Sequence, residues 1–442
     1  MDLLSRFHKY LEEACHTSPN EKIIVAVSGG ADSMCMLHLF IKSNIDIAIA
    51  HCNFQLRGEE SDNEENFVKQ VAEKYSIPVF IKKFKTTEYA SLQKITIQEA
   101  ARELRYRWFD NLSKIHSYDK IAIAHNADDS IETFFINILR GTGIQGLCGI
   151  KPENGNVIRP LLFAFRDEIE QYCKVQNIDY CTDSSNLTDK YLRNNIRHNI
   201  IPLFEKIKPD FRNIMLKNID YLSQTFNIYE NAIKDISKKI LQSNDDYDTI
   251  DINTLLILPS SKTILFEILK KYGFSSNTCN EIYNCIFAES GKQFYSDTHR
   301  LIKDRTNFII SKNSQESEQK YYISDITTVI SEPLNLTFSI KDNANYEIPR
   351  VPNIAALDYE KLQFPLIIRK WQNGDYFQPL GMKYFKKLSD FFVDKKFSLI
   401  EKERTWILTS GSDIVWVINH RIDERFKITE TTGKILEIKV LE

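Results

Sequence analysis

One junction near the N-terminus constrains this chain more than any other. The apolar, β-branched run Ile23-Ile24-Val25-Ala26-Val27 reads as a buried strand, and Met34 to Ile41 reads as a helix. Between them lies Ser28-Gly29-Gly30-Ala31-Asp32-Ser33. Glycines let backbone amides approach an anion with no Cβ in the way. The helix that follows directs its free N–H groups and positive dipole end at that anion. Asp32 then stands where a phosphate-bound magnesium ion needs a carboxylate oxygen. The pattern G-x-x-x-x-G-K-[ST] occurs nowhere in the chain, so the usual phosphate-loop lysine is missing. That points to a cut at the α-phosphate, with pyrophosphate held and released. The plain alternative is a strand-to-helix turn that uses glycine for its geometry.

The first 140 or so residues repeat the strand-and-helix alternation. Ile45 to Ala50 is a second strand, ending in His51-Cys52-Asn53, and Glu59 to Tyr75 is polar and helical. Ile77 to Phe84 is a third strand. Thr96-Ile97-Gln98-Glu99 is a capping box opening a helix through about Ile115. Lys120 to Ala124 is a fourth strand and Asp128 to Leu139 another helix. Near-continuous apolar strands alternating with helices predict a parallel sheet covered on both faces, with ligands at the carboxyl ends of the strands. The glycine loop, His51-Cys52-Asn53 and His125-Asn126 all fall at such ends, so three polar clusters are expected in one crevice.

Beyond about Pro209 the alternation stops. Phe211 to Leu241 and Ser260 to Phe287 read as helices, Asn313 to Lys320 as a polar link, and Tyr321 to Leu357 as β-branched segments with turns. After about Gln363, strand signals recur at Pro365 to Ile368, Thr405 to Thr409, Asp413 to Ile418 and Ile435 to Val440. A chain of 442 residues needs two or three cores. No apolar run approaches membrane length, and Met1 to Cys15 is amphipathic without a signal-peptide core, so a cytoplasmic protein with no membrane partner is expected. Eight cysteines without a C-x-x-C pair indicate neither a zinc ribbon nor a dithiol site. A net charge of −3 argues against a general nucleic-acid coat protein but leaves room for a local basic face.

Ala124-His125-Asn126-Ala127-Asp128-Asp129-Ser130-Ile131-Glu132-Thr133 is the second strong signal. Adjacent acids open a helix, and Glu132 lies one turn from Asp129 on the same face. Either these acids merely favour the first helical turn, or they share a metal and phosphate site with Asp32. Gly141-Thr142-Gly143-Ile144-Gln145-Gly146 matches a dinucleotide fingerprint but ends a helix instead of following a strand, so a loop closing over the site is expected. Arg140 just before it suits phosphate, RNA or the helix C-terminus. Arg57 leaves the second strand in a loop, and Arg102, Arg105 and Arg107 share a helix. Asp183-Ser184-Ser185-Asn186 and Arg193-Asn194-Asn195-Ile196-Arg197-His198 form a polar, basic stretch that either positions phosphates or is a solvated face. Near the C-terminus, Lys386, Lys387, Lys395 and Lys396 interleave with Phe391 and Phe392, a composition suited to RNA through phosphate contact and base stacking.

Together these motifs resemble the tRNA(Ile)-lysidine synthetases of the N-type (PP-loop) ATP pyrophosphatase superfamily. The resemblance rests on Ser28 to Ser33 and His51-x-Asn53-x-x-Leu56-Arg57, on Ala124-His125-x-x-Asp128-Asp129-x-x-Glu132-Thr133, and on Leu139-Arg140-Gly141-Thr142-Gly143. It also rests on Arg159-Pro160-Leu161-Leu162, on Asp183-x-Ser185-Asn186 with Arg193-Asn194-x-Ile196-Arg197, and on Gly374-Asp375-x-Phe377-x-Pro379-Leu380-Gly381-Met382 with Lys386-Lys387-Leu388-Ser389-Asp390-Phe391-Phe392. Phe54, where the family often has a second histidine, and Tyr384, near a usual glycine, depart from the pattern.

The resemblance implies an α/β fold: a parallel-sheet, Rossmann-like PP-loop domain (1–208), a helical middle domain (209–320), a connecting segment (321–362) and a small α+β C-terminal tRNA-binding domain (363–442). It implies ATP and Mg²⁺, with adenylation of the wobble cytidine of a CAU-anticodon tRNA(Ile) followed by attack of L-lysine. Ser28, Gly29, Gly30, Ala31, Asp32 and Ser33 would hold ATP, and Asp32 and Asp129 the metal. His125 and Glu132 would orient the cytidine or lysine, or handle protons. Arg57, Arg105, Arg140, Arg193, Arg197, Lys386 and Lys387 would contact tRNA. A homodimer is compatible with the sequence. Two rivals are a PP-loop tRNA-thiolating enzyme, disfavoured by the missing cysteine pair, and a nucleotide- or RNA-binding module without turnover, disfavoured by the intact acids.

Overall fold

The computed structural model describes residues 2–181, 192–244, 246–313, 319–324 and 328–441. The chain divides into two compact units, Met1–Asn231 and Ala232–Glu442.

The first unit is built on a six-stranded sheet: β1 (Ile23–Ala26), β2 (Ile47–Asn53), β3 (Val79–Lys83), β4 (Lys120–Ala122), β5 (Glu153–Asn154) and β6 (Val157–Ile158), in the order β3-β2-β1-β4-β6-β5. β1 pairs in parallel with β2 on one side and β4 on the other, and β6 runs parallel to β4. Only the edge strand β5 is antiparallel. Its helices are α1 (Leu3–Glu13), α2 (Ala31–Lys42), α3 (Glu59–Tyr75), α4 (Thr86–Gln93), α5 (Ile97–His116), α6 (Ala127–Arg140), α7 (Ile144–Leu147) and α8 (Arg166–Val175).

The central strands β1 and β2 are mostly apolar because both of their faces are covered. Ile23 and Val25 enter one core with Phe7 of α1, Leu37 of α2 and Ile169 of α8. Ile24, pointing the other way, enters a second core with Phe109 and Leu112 of α5. The chain steps outward from β1 to β3 and returns to β4 across β1, so connections diverge between β1 and β4. That divergence opens a crevice at the carboxyl ends of these two strands.

In the second unit a five-stranded antiparallel sheet joins Leu241–Ser243, Tyr247–Asp251, Asn307–Lys312, His299–Asp304 and Gln293–Tyr295. The helices Ile252–Ile257, Ser261–Lys270 and Ser276–Asn284 lie between its strands in the sequence. The sequence shows the two helices between Ser260 and Phe287 but neither Ile252–Ile257 nor the sheet, whose strands are only three to six residues long. Besides a two-stranded sheet joining Tyr376–Phe377 and Lys386–Lys387, two larger antiparallel sheets follow, of five and four strands. Residues 321–362 contribute to both: Tyr321–Ile323 pairs with Leu366–Ile368, and Leu336–Asp342 pairs along its length with Lys434–Val440. One core, including Phe338, Leu357, Leu408 and Trp416, lies beneath these strands. Most of the polar link at 313–320 lies outside the described residues.

Candidate active site

The glycine loop lies where β1 ends. Gly29 has φ +97°, a conformation that side chains rarely adopt, and its carbonyl accepts from the Cys181 N–H at 2.9 Å. Gly30 is the N-cap of α2 and offers no side-chain cap, so the first amides of α2 are left for an anion. Two hydroxyls brace the turn. Ser33 Oγ donates to the Gly30 carbonyl at 2.9 Å and accepts from the Ser28 N–H at 3.2 Å. Ser28 Oγ and Ser33 Oγ are 3.2 Å apart.

Across the switch point, β4 runs out into His125 and Asn126. Asn126 caps α6: its Oδ1 accepts from the Asp129 N–H at 3.0 Å, while Asp129 Oδ2 accepts from the Asn126 N–H at 3.0 Å. Asn126 Nδ2 then donates to Asp32 Oδ1 at 3.1 Å. The cap of one helix is thereby bonded to the first turn of another, with Asp32 and Asp129 on the two sides of a single amide. Burial raises the Asp32 carboxyl above its ordinary pKa, and the charge of Asp129 adds to the rise. Two carboxylates sharing one partly dehydrated site favour a cation. Among the described residues no three His, Cys, Asp or Glu side chains converge as a metal cage. One or two carboxylates with the remaining positions left to phosphate oxygens and water is the donor set that Mg²⁺ takes on a nucleotide, so these residues fit it.

The other two acids of α6 are committed to protein partners. Asp128 accepts from the Arg166 N–H at 2.8 Å and lies 3.4 Å from Arg212, which fixes the start of α8 and leaves Asp128 outside the crevice's free groups. Glu132 is fully buried, and Arg197 holds it through two bonds of 2.5 and 3.2 Å. Arg193 stands 3.3 Å from the same carboxylate. Arg197 also lies 3.7 Å from Asp129. Arg193 and Arg197, expected on tRNA, therefore reach the acids of α6, and Glu132 already has two cationic partners. Burial still raises the Glu132 carboxyl above its ordinary value.

His51 is buried, and its Nδ1 bonds the Val27 carbonyl at 2.8 Å, just before the glycine loop. Its Nε2 is buried without a partner among the described residues. Asn53 instead turns toward α3, donating to Glu65 at 2.9 Å and Asp62 at 3.1 Å. The sequence places Asn126 at the crevice but does not show its bond to Asp32. Arg159 belongs to the Arg159-Pro160-Leu161-Leu162 motif, but the sequence assigns it no role, because it meets His125, 34 residues earlier, only through the fold.

The remaining basic residues are spread out. Arg57 lies at 3.4 Å from Glu60 and 3.5 Å from Glu64. The Arg105 guanidinium stacks over the Phe54 ring at 5.2 Å, and Arg140 is exposed at the end of α6. Gly141, with φ +74°, ends that helix, as the misplaced fingerprint implied. Asp183 to Asn186 lie outside the described residues. In the second unit Lys386 pairs with Asp394, and Lys387 is exposed. The aromatic half of the stacking expectation needs correction. Phe391 and Phe392 are core residues packed with Phe377, Leu388 and Ile407, because their helix needs an apolar face. The exposed rings there are Tyr376, Tyr384 and Phe385. A cavity of about 730 Å³ in the second unit, lined in part by Lys370, Trp371 and Trp406, contains none of the glycine-loop residues. Among the described residues no helix is long and apolar enough to cross a membrane.

A glycine loop at the switch point of a parallel sheet, with two carboxylates beside it and no phosphate-loop lysine, defines a PP-loop enzyme that uses ATP. Residues 3–204 match the family model of the PP-loop domain, residues 242–313 the TilS substrate binding domain and residues 366–438 the TilS substrate C-terminal domain. The chain is 41% identical over 433 residues to a tRNA(Ile)-lysidine synthase of Parabacteroides distasonis, covering 98% of each. It is 40% identical over 436 residues to that of Bacteroides thetaiotaomicron, covering 99% of each. Among solved structures, the U34-tRNA thiolase NcsA from Methanococcus maripaludis aligns with a TM-score of 0.43 at 19% identity, over 50% of this chain and 77% of that one. The chain belongs to the tRNA(Ile)-lysidine synthase family.

Proposed function

We propose that the protein ligates L-lysine to the wobble cytidine of the CAU anticodon of tRNA(Ile), at the expense of ATP. The cytidine carbonyl oxygen attacks the α-phosphorus of ATP, the α–β phosphoanhydride bond breaks, and pyrophosphate leaves. The amine of lysine then attacks the activated ring carbon. A C–N bond forms, the C–O bond to AMP breaks, and the nitrogen gives up a proton. The product pairs with A in place of G, so the tRNA reads AUA.

The observation that carries this reading is the Asp32–Asn126 bond, which joins a phosphate-binding loop to the acidic helix at one crevice. The loop amides and the N-terminus of α2 bind the phosphates. Asp32 and Asp129 would hold Mg²⁺, which neutralises charge on the departing pyrophosphate. Arg197, between Glu132 and Asp129, is a fixed cation for charge developing at the α-phosphate. Glu132 keeps Arg197 in place. The anticodon base lies in a loop and can be splayed into the crevice at modest cost. Lys387 and its neighbours in the C-terminal region, 363–442, contact tRNA phosphates.

Mixing the protein with ATP and Mg²⁺ tests the reading. Pyrophosphate release that needs the CAU-anticodon tRNA, and AMP release that needs lysine as well, are expected. Pyrophosphate or AMP formed without tRNA would contradict it.

A further inference from the structure

We infer that Arg159 is a positioning residue that fixes His125 as the neutral tautomer with its proton on Nε2, so that His125 serves the reaction as a hydrogen-bond donor and not as a proton acceptor. Arg159 follows β6 and is buried. Its own N–H donates to the Pro152 carbonyl at 2.8 Å, and its Nη1 donates to the Lys151 carbonyl at 2.8 Å. With the guanidinium pinned at that end, Nε–H donates to His125 Nδ1 at 3.2 Å.

A guanidinium has donors only. The ring nitrogen it meets must therefore be an acceptor, and a neutral imidazole that accepts at Nδ1 carries its proton at Nε2. Arg159 has no carboxylate partner among the described residues, so its full charge also faces the ring and opposes an imidazolium. Burial acts the same way and, with Arg159, Arg193 and Arg102, outweighs Asp129 to bring His125 down to about 4. Among the described residues the His125 ring bonds only at Nδ1, and the half-buried ring leaves Nε2 without a protein acceptor. That donor stands beside Asn126 at the carboxyl end of β4, available to an oxygen of the nucleotide or of the activated base. A bond of this kind stabilises negative charge as it builds.

The inference rests on the proposed use of this crevice, but its first test does not depend on activity. The full-length protein is labelled with ¹⁵N-histidine. Of nine histidines, the His125 signals are identified by their loss in His125→Gln. The wild-type ring should show Nε2 protonated and Nδ1 bare through pH 6 to 8. A ring protonated at Nδ1 would overturn the inference even if the enzyme is active.

In Arg159→Met the ring should populate both tautomers, and kcat should fall at least tenfold with KM for ATP unchanged. An unaltered tautomer and unaltered kcat would also overturn it. His125→Gln keeps an N–H near the Nε2 position and should retain at least tenfold more activity than His125→Ala. Equal losses in the two variants would contradict a donor role, a comparison that holds even if Arg159→Met does not fold.

Discussion

Asn126 Nδ2 donates to Asp32 Oδ1 at 3.1 Å, across 94 residues of sequence. The same Asn126 side chain accepts from the Asp129 N–H, so one amide caps α6 and orients a carboxylate at the start of α2. The bond spans the switch point between β1 and β4, and it sets the separation between the glycine loop and the acids at the start of α6. Substituting Asn126 by Ala should therefore have two separable effects. Loss of the cap should lower stability by about 1 kcal/mol. Release of Asp32 should lower kcat for lysidine formation by a larger factor, more than about tenfold. Chemical denaturation and single-turnover kinetics on the same sample measure both. A stability loss with full kcat would mean that the bond serves the helix alone.

The pairing of buried Glu132 with Arg197 predicts asymmetric mutants. Arg197→Ala leaves a fully buried carboxylate with only the more exposed Arg193 nearby. Removing one partner of a buried pair costs about 3 kcal/mol or more. Arg197→Met combined with Glu132→Gln should recover much of that stability while activity stays low, because the cation is gone. Thermal unfolding of the single and double variants distinguishes the two contributions.

His125 predicts a pH dependence whose sign is fixed. Its folded pKa, about 4, lies below its ordinary value of 6.5, chiefly through burial. As pH falls below 6.5 the unfolded chain binds this proton before the folded protein does. Stability linked to His125 is therefore fully present above 6.5 and is lost progressively as pH falls toward 4. The loss amounts to at most about 3 kcal/mol. His51 and His38 are lowered the same way, so the comparison is with His125→Gln: its denaturation free energy should fall less steeply than wild type between pH 6.5 and 4. Parallel curves would refute the assignment.

Much of the first unit was legible because its signals are local. β1, the glycine loop and α2 follow from three consecutive residue patterns, and the Thr96 to Glu99 capping box occurs as spaced. The strand order was not legible, since pairing of β1 with β4 depends on no local motif. Site residues divided the same way. Asp32 and Asp129 announce themselves at helix starts, whereas the partners of Glu132 and His125 are chosen by tertiary packing. Phe391 and Phe392 show the converse error: aromatics beside lysines suggest stacking on bases, yet a seven-residue helix on a small sheet needs those rings for its core. The antiparallel sheet after residue 240 was hidden because its short strands are separated by helices.

The sheet pairings also determine how tRNA binding should be tested. Cutting the chain near Gln363 would strip Lys434–Val440 from Leu336–Asp342 and unfold what remains of that sheet. Lys387, Lys395 and Lys396 are exposed, so substituting them by Ala should leave the fold intact. For each of these lysines that neutralises a phosphate, its removal should reduce the slope of log affinity against log salt by roughly one. ATP binding should not change. An unaltered salt slope in the triple variant would place the tRNA-binding face elsewhere.

On the proposed function, the crevice joining Asp32 to Asn126 attaches lysine to one tRNA base. The most direct measurement of this is mass analysis of the anticodon-loop nucleosides after incubation of CAU-anticodon tRNA(Ile) with the protein, ATP, Mg²⁺ and isotope-labelled lysine. The wobble cytidine should gain the mass of labelled lysine less one water, with one AMP and one pyrophosphate formed per modified tRNA. Asp32→Ala, folded to the same extent, should reduce the product at least a hundredfold. An unmodified wobble cytidine despite ATP cleavage, sulfur in place of lysine, or wild-type turnover in Asp32→Ala would contradict the account.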